Sequence, residues 1–160
     1  MFVLGIDPGL SVTGYGMVER GHPPKALLAG VIRTEPDSPM PERLAELYRG
    51  LSQVIDESDP DVVALETVFT NRNLQTAISV GRASGVAMLA AAEAGLTVCE
   101  YVPTAVKSAI TGDGAASKRQ IQEMVARLLR LDAPPKPADA ADALAIALCH
   151  LRVAPLEAAK

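Results

Sequence analysis

Two short apolar runs, each ending in a carboxylate, restrict the architecture more than any other feature of this chain. Asp61-Val62-Val63-Ala64-Leu65-Glu66 is almost continuously apolar over the length of a strand, and Phe2 to Ile6 is likewise apolar until it reaches Asp7. A strand without polar alternation is buried on both faces, and that requires helices above and below its sheet. The rest of the sequence supplies them. Leu44, Leu47, Leu51, Val54 and Ile55 recur at three- and four-residue steps, predicting a helix from Pro41 to a stop around Ser58 to Pro60. Asn73 to Ala94 reads as a largely buried helix, Pro103 to Lys107 as a short one, and Ile121, Met124, Val125, Leu128 and Leu129 as an amphipathic helix that Ser117 can cap. A last helix carrying Leu144, Leu148 and Leu151 starts near Ala138 or Asp139. Val3 to Glu19 reads as a hairpin around Asp7-Pro8-Gly9, Leu27 to Thr34 continues it as a meander, and Thr97 to Val102 is a further strand. The expectation is an α/β domain with one mixed sheet and helices on its faces.

A chain of 160 residues, 49% hydrophobic and 21% charged, has material for one core and is too apolar for disorder. We expect a single domain over residues 1–154 and a flexible tail over 155–160. The most apolar stretch, Gly85 to Ala92, falls far short of the roughly 20 residues of a membrane span. Asp7 interrupts the first apolar run too early for a signal-peptide core, so a cytoplasmic location is expected. Cys99 and Cys149 each lie in an apolar run far from the other and read as packed thiols.

Asp7 and Glu66 stand at the ends of core strands, where an ionised group is costly without solvent, a partner or a metal. If the two strands are neighbours, both carboxylates meet at one edge of the sheet. Taken singly, each also fits a turn or a strand end. Asp139 and Asp142 are three residues apart and project from one face of the last helix, amid alanines. Asp139 taken alone is slightly better explained as helix punctuation, whereas Asp142, just before an apolar run, is better explained by a cation. Acids from distant segments without a His or Cys cluster suit Mg²⁺ or Mn²⁺ and not structural zinc. A pair of such ions about 4 Å apart would serve phosphodiester hydrolysis.

Gly5-Ile6-Asp7-Pro8-Gly9 with Thr13-Gly14-Tyr15-Gly16, then Leu65-Glu66-Thr67-Val68-Phe69, and finally Asp139-Ala140-Ala141-Asp142-Ala143-Leu144 resemble, in order and over nearly the whole chain, the RuvC family of Holliday-junction resolvases. The resemblance implies an RNase H-like fold with a mixed five-stranded sheet, a homodimer, and symmetric nicking of two like-polarity strands of a four-way DNA junction in recombination and repair. It makes Asp7, Glu66, Asp139 and Asp142 the metal-binding catalytic acids and RuvA and RuvB the partner branch-migration proteins.

The net charge of −4 does not exclude DNA, because phosphate attraction depends on local basic surface. No acid occurs from Thr67 to Ala92, which contains Arg72 and Arg82; Lys107, Lys118 and Arg119 face only Asp113 between Tyr101 and Gln122. By the resemblance, Lys107 and Lys118 would contact the backbone near the scissile phosphate, and Phe69 would stack on a base at the crossover, beside Arg72 and Asn73. The competing readings are an actin-like or sugar-kinase-like ATPase, whose first phosphate loop Gly5-Ile6-Asp7-Pro8-Gly9 also resembles, and a non-catalytic junction-binding module.

Overall fold

The computed structural model describes residues 1–67 and 73–154. Its elements are β1 (Phe2–Asp7), β2 (Val12–Glu19), β3 (Lys25–Arg33), α1 (Met40–Ser58), β4 (Val62–Glu66), α2 (Leu74–Glu93), β5 (Thr97–Tyr101), α3 (Pro103–Thr111), α4 (Lys118–Leu128) and α5 (Ala138–Val153). The five strands form one sheet in the order β3-β2-β1-β4-β5. β1, β2 and β3 form the antiparallel meander, while β4 and β5 lie parallel to β1 and to each other. The expected tail, 155–160, lies outside the described residues.

The apolar runs are buried on both faces, as their lack of alternation requires. Leu4, Ile6, Val63 and Leu65 pack on α1 and α2 through Leu47, Leu51, Ile55, Ala83 and Ala87. Val3, Val62 and Ala64 pack on the other face against α3, α4 and α5. Among the described residues no helix is long and apolar enough to cross a membrane.

Local chemistry sets the helix ends. Asn73 caps α2 by accepting from Gln75 N–H at 2.9 Å, and Ser117 and Gln120 form a reciprocal capping box on α4. α3 runs past the expected Lys107 to Thr111, because Val106 and Ile110 bury one face a turn apart; Gly112 then ends it with φ 80°. Pro137 takes the N-cap position of α5 without a side-chain cap, which leaves Asp139 inside the first turn.

α5 lies unusually close to the sheet. A β-carbon on Gly5 would overlap the Ala143 carbonyl oxygen and come within 2.8 Å of Ala147 N, and one on Gly16 would come within 2.7 Å of Leu144 Cγ. The close approach therefore depends on the absence of side chains along β1 and β2. Gly5→Ala should lose about 1–3 kcal/mol of stability or more in chemical denaturation, since the obstructing atoms are backbone and cannot rotate away. Unchanged stability would show that α5 can lift off at no cost.

Candidate active site

Strand periodicity determines where the first two acids point. Val3 and Gly5 face α5, so Asp7, two residues on, faces it too; Val62 and Ala64 do the same for Glu66. The parallel register pairs Ile6 with Leu65, which brings Asp7 and Glu66 side by side at the carboxyl ends of β1 and β4. Ligand sites of open α/β sheets form at this kind of edge. Gly14 lies opposite Asp7 in the antiparallel register. The Asp139 carbonyl rests where a Gly14 β-carbon would be, so the first turn of α5 descends onto Asp7.

As a result, one carboxylate oxygen each from Asp7, Asp139 and Asp142 lies within 4.8 Å of the others. Glu66 stands outside that triad but lines the same cleft, of about 220 Å³, with Asp7, Asp142, Lys107, Lys118, Val106 and Ile121. Lys118 Nζ is 2.7 Å from Asp142 Oδ2. Burial pushes the Asp7 carboxyl up to about 7, and the charges of Glu66, Asp142 and Asp139 add to it while Lys118 opposes them. Glu66 is raised by burial and then by Asp142, with Lys107 and Lys118 opposing. Hydrogen bonding to Asp142 raises Lys118.

Half-buried carboxylates this close repel one another, and an all-oxygen donor set matches hard divalent cations. The residues present therefore fit a divalent metal centre.

The loop that leaves Asp7 is pinned from behind. Buried Arg43 donates from Nε to Thr34 Oγ1 at 2.9 Å and from Nη2 to Ser11 Oγ at 3.0 Å, and Thr34 Oγ1 donates to the Leu10 carbonyl at 2.6 Å. Thr13 Oγ1 donates to the Gly9 carbonyl at 2.6 Å and closes the turn.

Of the residues that the sequence assigned to DNA, Lys107 and Lys118 line the cleft. Arg119 points into solvent and pairs with Glu123 Oε1 at 2.8 Å, and Asn73 is an exposed helix cap. Phe69 and Arg72 lie outside the described residues. Sequence reasoning missed Arg43, whose position in an amphipathic helix gave no sign of burial. It also missed Gly5 and Gly14 as packing devices, although glycines in strands are a known sign of close backbone approach.

The family model for crossover junction endodeoxyribonuclease RuvC matches residues 3–150. The chain belongs to the RuvC family. It is 51% identical to crossover junction endodeoxyribonuclease RuvC of Streptomyces griseus subsp. griseus over 98% of this chain and 78% of that protein. It is 50% identical to RuvC of Desulforamulus reducens over 94% of this chain and 93% of that one. Among solved structures, T. thermophilus RuvC in complex with Holliday junction substrate superposes with a TM-score of 0.89 at 39% identity, over 95% of this chain and 93% of that one. The mixed five-stranded sheet is accordingly the RNase H-like fold of the RuvC resolvases.

Proposed function

We propose that this RuvC-family endonuclease resolves four-way DNA junctions through the cleft at the carboxyl ends of β1 and β4, with Asp7, Glu66, Asp139 and Asp142 as its metal-binding catalytic acids. The observation that carries the site is the convergence of Asp7, Asp139 and Asp142 oxygens within 4.8 Å, from a strand and a helix far apart in sequence. Asp7, Asp139 and Asp142, with Glu66 in the same cleft, would hold the Mg²⁺ or Mn²⁺ ions, two of them by the family resemblance. Such ions supply Lewis acidity that activates water and neutralises charge on the phosphate under attack. Lys118, paired with Asp142, and Lys107 line the same cleft and would bind the phosphate oxygens there, beside the apolar Val106 and Ile121.

A four-way junction offers two equivalent strands, which suits a two-fold homodimer. An exposed apolar stripe on α2 supports this reading. Leu74, Ile78 and Leu89 are 74%, 44% and 53% exposed, and among the described residues nothing lies within 4 Å of a β-carbon placed on Gly81 or Gly85 between them. Leu89→Glu should shift the protein to monomer in analytical ultracentrifugation and uncouple the two nicks; a dimer that persists would place the interface elsewhere. We place the reaction in the cytoplasm, in cooperation with RuvA and RuvB.

The direct test is to incubate the protein with a labelled four-way junction, a linear duplex or ATP, each with Mg²⁺ or Mn²⁺. Paired nicks in the junction, little duplex cutting and no nucleotide turnover are expected. ATP hydrolysis without junction cleavage would favour the kinase-like alternative, and binding without cleavage the non-catalytic one.

A further inference from the structure

The carboxylates of the site ride on two bodies: Asp7 and Glu66 on the sheet, Asp139 and Asp142 on α5. Most of the contact between those bodies is glycine, alanine and leucine packing, which is close but non-directional and tolerates sliding along the helix axis. Something must hold the axial register, since a ligand set functions only within about 0.5 Å of its productive geometry.

One contact has the required direction. Tyr101 ends β5 opposite Glu66 in the parallel register, and its carbonyl accepts the N–H of Thr67, the residue after Glu66, at 2.9 Å. Its side chain packs into the cluster beneath α5, where its hydroxyl is 2.7 Å from His150 Nδ1. The two rings meet edge to face with centroids 5.9 Å apart. His150 is 5% exposed and belongs to α5, about three turns below Asp139 on the same side of the helix. Burial, and then the charge of Arg20, keep its imidazole below the usual range, and the neutral ring shares one hydrogen bond between Nδ1 and the Tyr101 hydroxyl. Among the described residues this is the one hydrogen bond that joins α5 to the sheet; the other side-chain bonds of α5 reach α3, through Cys149 and Arg152, and α4, through Lys118.

We propose that the Tyr101–His150 hydrogen bond sets the register of α5 on the sheet, and with it the separation of Glu66 and Asp7 from Asp139 and Asp142, making both side chains positioning residues for the divalent-cation centre. The inference rests on the metal-site reading given under the proposed function. Neither side chain would touch substrate.

The test is Mn²⁺ binding to the metal-free protein, measured by titration calorimetry, for Tyr101→Phe, His150→Leu and His150→Asn, with Leu151→Ala as a control that loosens α5 without touching the pair. Groups that orient metal ligands typically change affinity 10–100-fold. Tyr101→Phe and His150→Leu should each weaken Mn²⁺ binding by about that factor, and the double variant by no more than either alone. His150→Asn, whose amide offers both an acceptor and a donor in place of Nδ1, should recover most of the affinity. Leu151→Ala should lower the melting temperature with little change in Mn²⁺ affinity. The Mn²⁺ concentration for half-maximal junction cleavage should rise in the two weakened variants, with junction binding unchanged. Wild-type affinity in Tyr101→Phe, or equal weakening in Leu151→Ala, would overturn the positioning role while leaving the metal site intact. A wild-type protein that binds no Mn²⁺ would overturn both.

Discussion

Asp7→Asn should abolish junction cleavage and, without metal, should make the protein more stable at neutral pH. Loss of an outer-shell group at a metal centre costs 10–100-fold, so loss of Asp7, which would ligate the metal directly, should exceed about 100-fold in rate. The stability gain follows from linkage. The Asp7 carboxyl is pushed up to about 7 in the folded protein, well above the ordinary range of an aspartate, so the folded state binds the proton more tightly than the unfolded state. The stabilisation is complete below about pH 4 and is lost as the pH rises through about 7. The metal-free wild type above pH 7 therefore carries a penalty on the order of 2–4 kcal/mol that Asn, being neutral, escapes.

In thermal denaturation at pH 7.5 with chelator, Asp7→Asn should melt on the order of 5 °C above wild type, and the gap should close toward pH 4. Saturating Mn²⁺ should raise wild type much more than the variant, because a cation that binds only the folded state relieves the same repulsion. Junction affinity in the absence of metal should be retained or slightly improved, since a negative charge leaves the cleft. A variant with wild-type cleavage, or one that melts lower at every pH, would show that Asp7 serves the turn and not the cation.

Lys118→Met should have the opposite thermal sign and a comparable loss of rate. Lys118 opposes the rise of both Asp7 and Glu66 and pairs with Asp142, so its loss leaves the acids less compensated. Its side chain is 61% exposed, and solvent screening therefore limits the stability cost to about 1 kcal/mol or less. The larger effect is on the reaction. Removing one charged donor aimed at developing negative charge costs about 10²–10³-fold, and that is the expected fall in junction cleavage. Losing one phosphate contact should also lower the slope of log affinity against log salt by about one. Fluorescence anisotropy at several salt concentrations reads that slope. An unchanged slope together with unchanged cleavage would return Lys118 to an ordinary solvated lysine.

The acids were legible in the sequence because ionised groups at the ends of buried strands have few structural uses. Val62 to Leu65 announced a strand covered on both faces, and α1 and α2 on one side with α3, α4 and α5 on the other bear this out. The periodicity of α1 and the Ser117 cap of α4 were equally plain, since both rest on interactions within a few residues. Arg43 was not legible: its two hydroxyl partners are Ser11 and Thr34, the latter in turn bound to the Leu10 carbonyl, and no local pattern links those positions. Tyr101 and His150 were invisible for the same reason, being 49 residues apart in the chain.

What the sequence settled alone was the inventory: which segments are strands, which are helices, and which carboxylates stand at their ends as candidates for a cation. Period and propensity act over a handful of residues, so they can be read without the fold. Which of those acids meet was decided by tertiary structure. Parallel pairing of β1 with β4 brought Glu66 beside Asp7, and bare glycines along β1 and β2 let α5 sink until Asp139 and Asp142 reached Asp7. Strand register and helix depth are sums of many weak, long-range contacts, and no window of the sequence contains them.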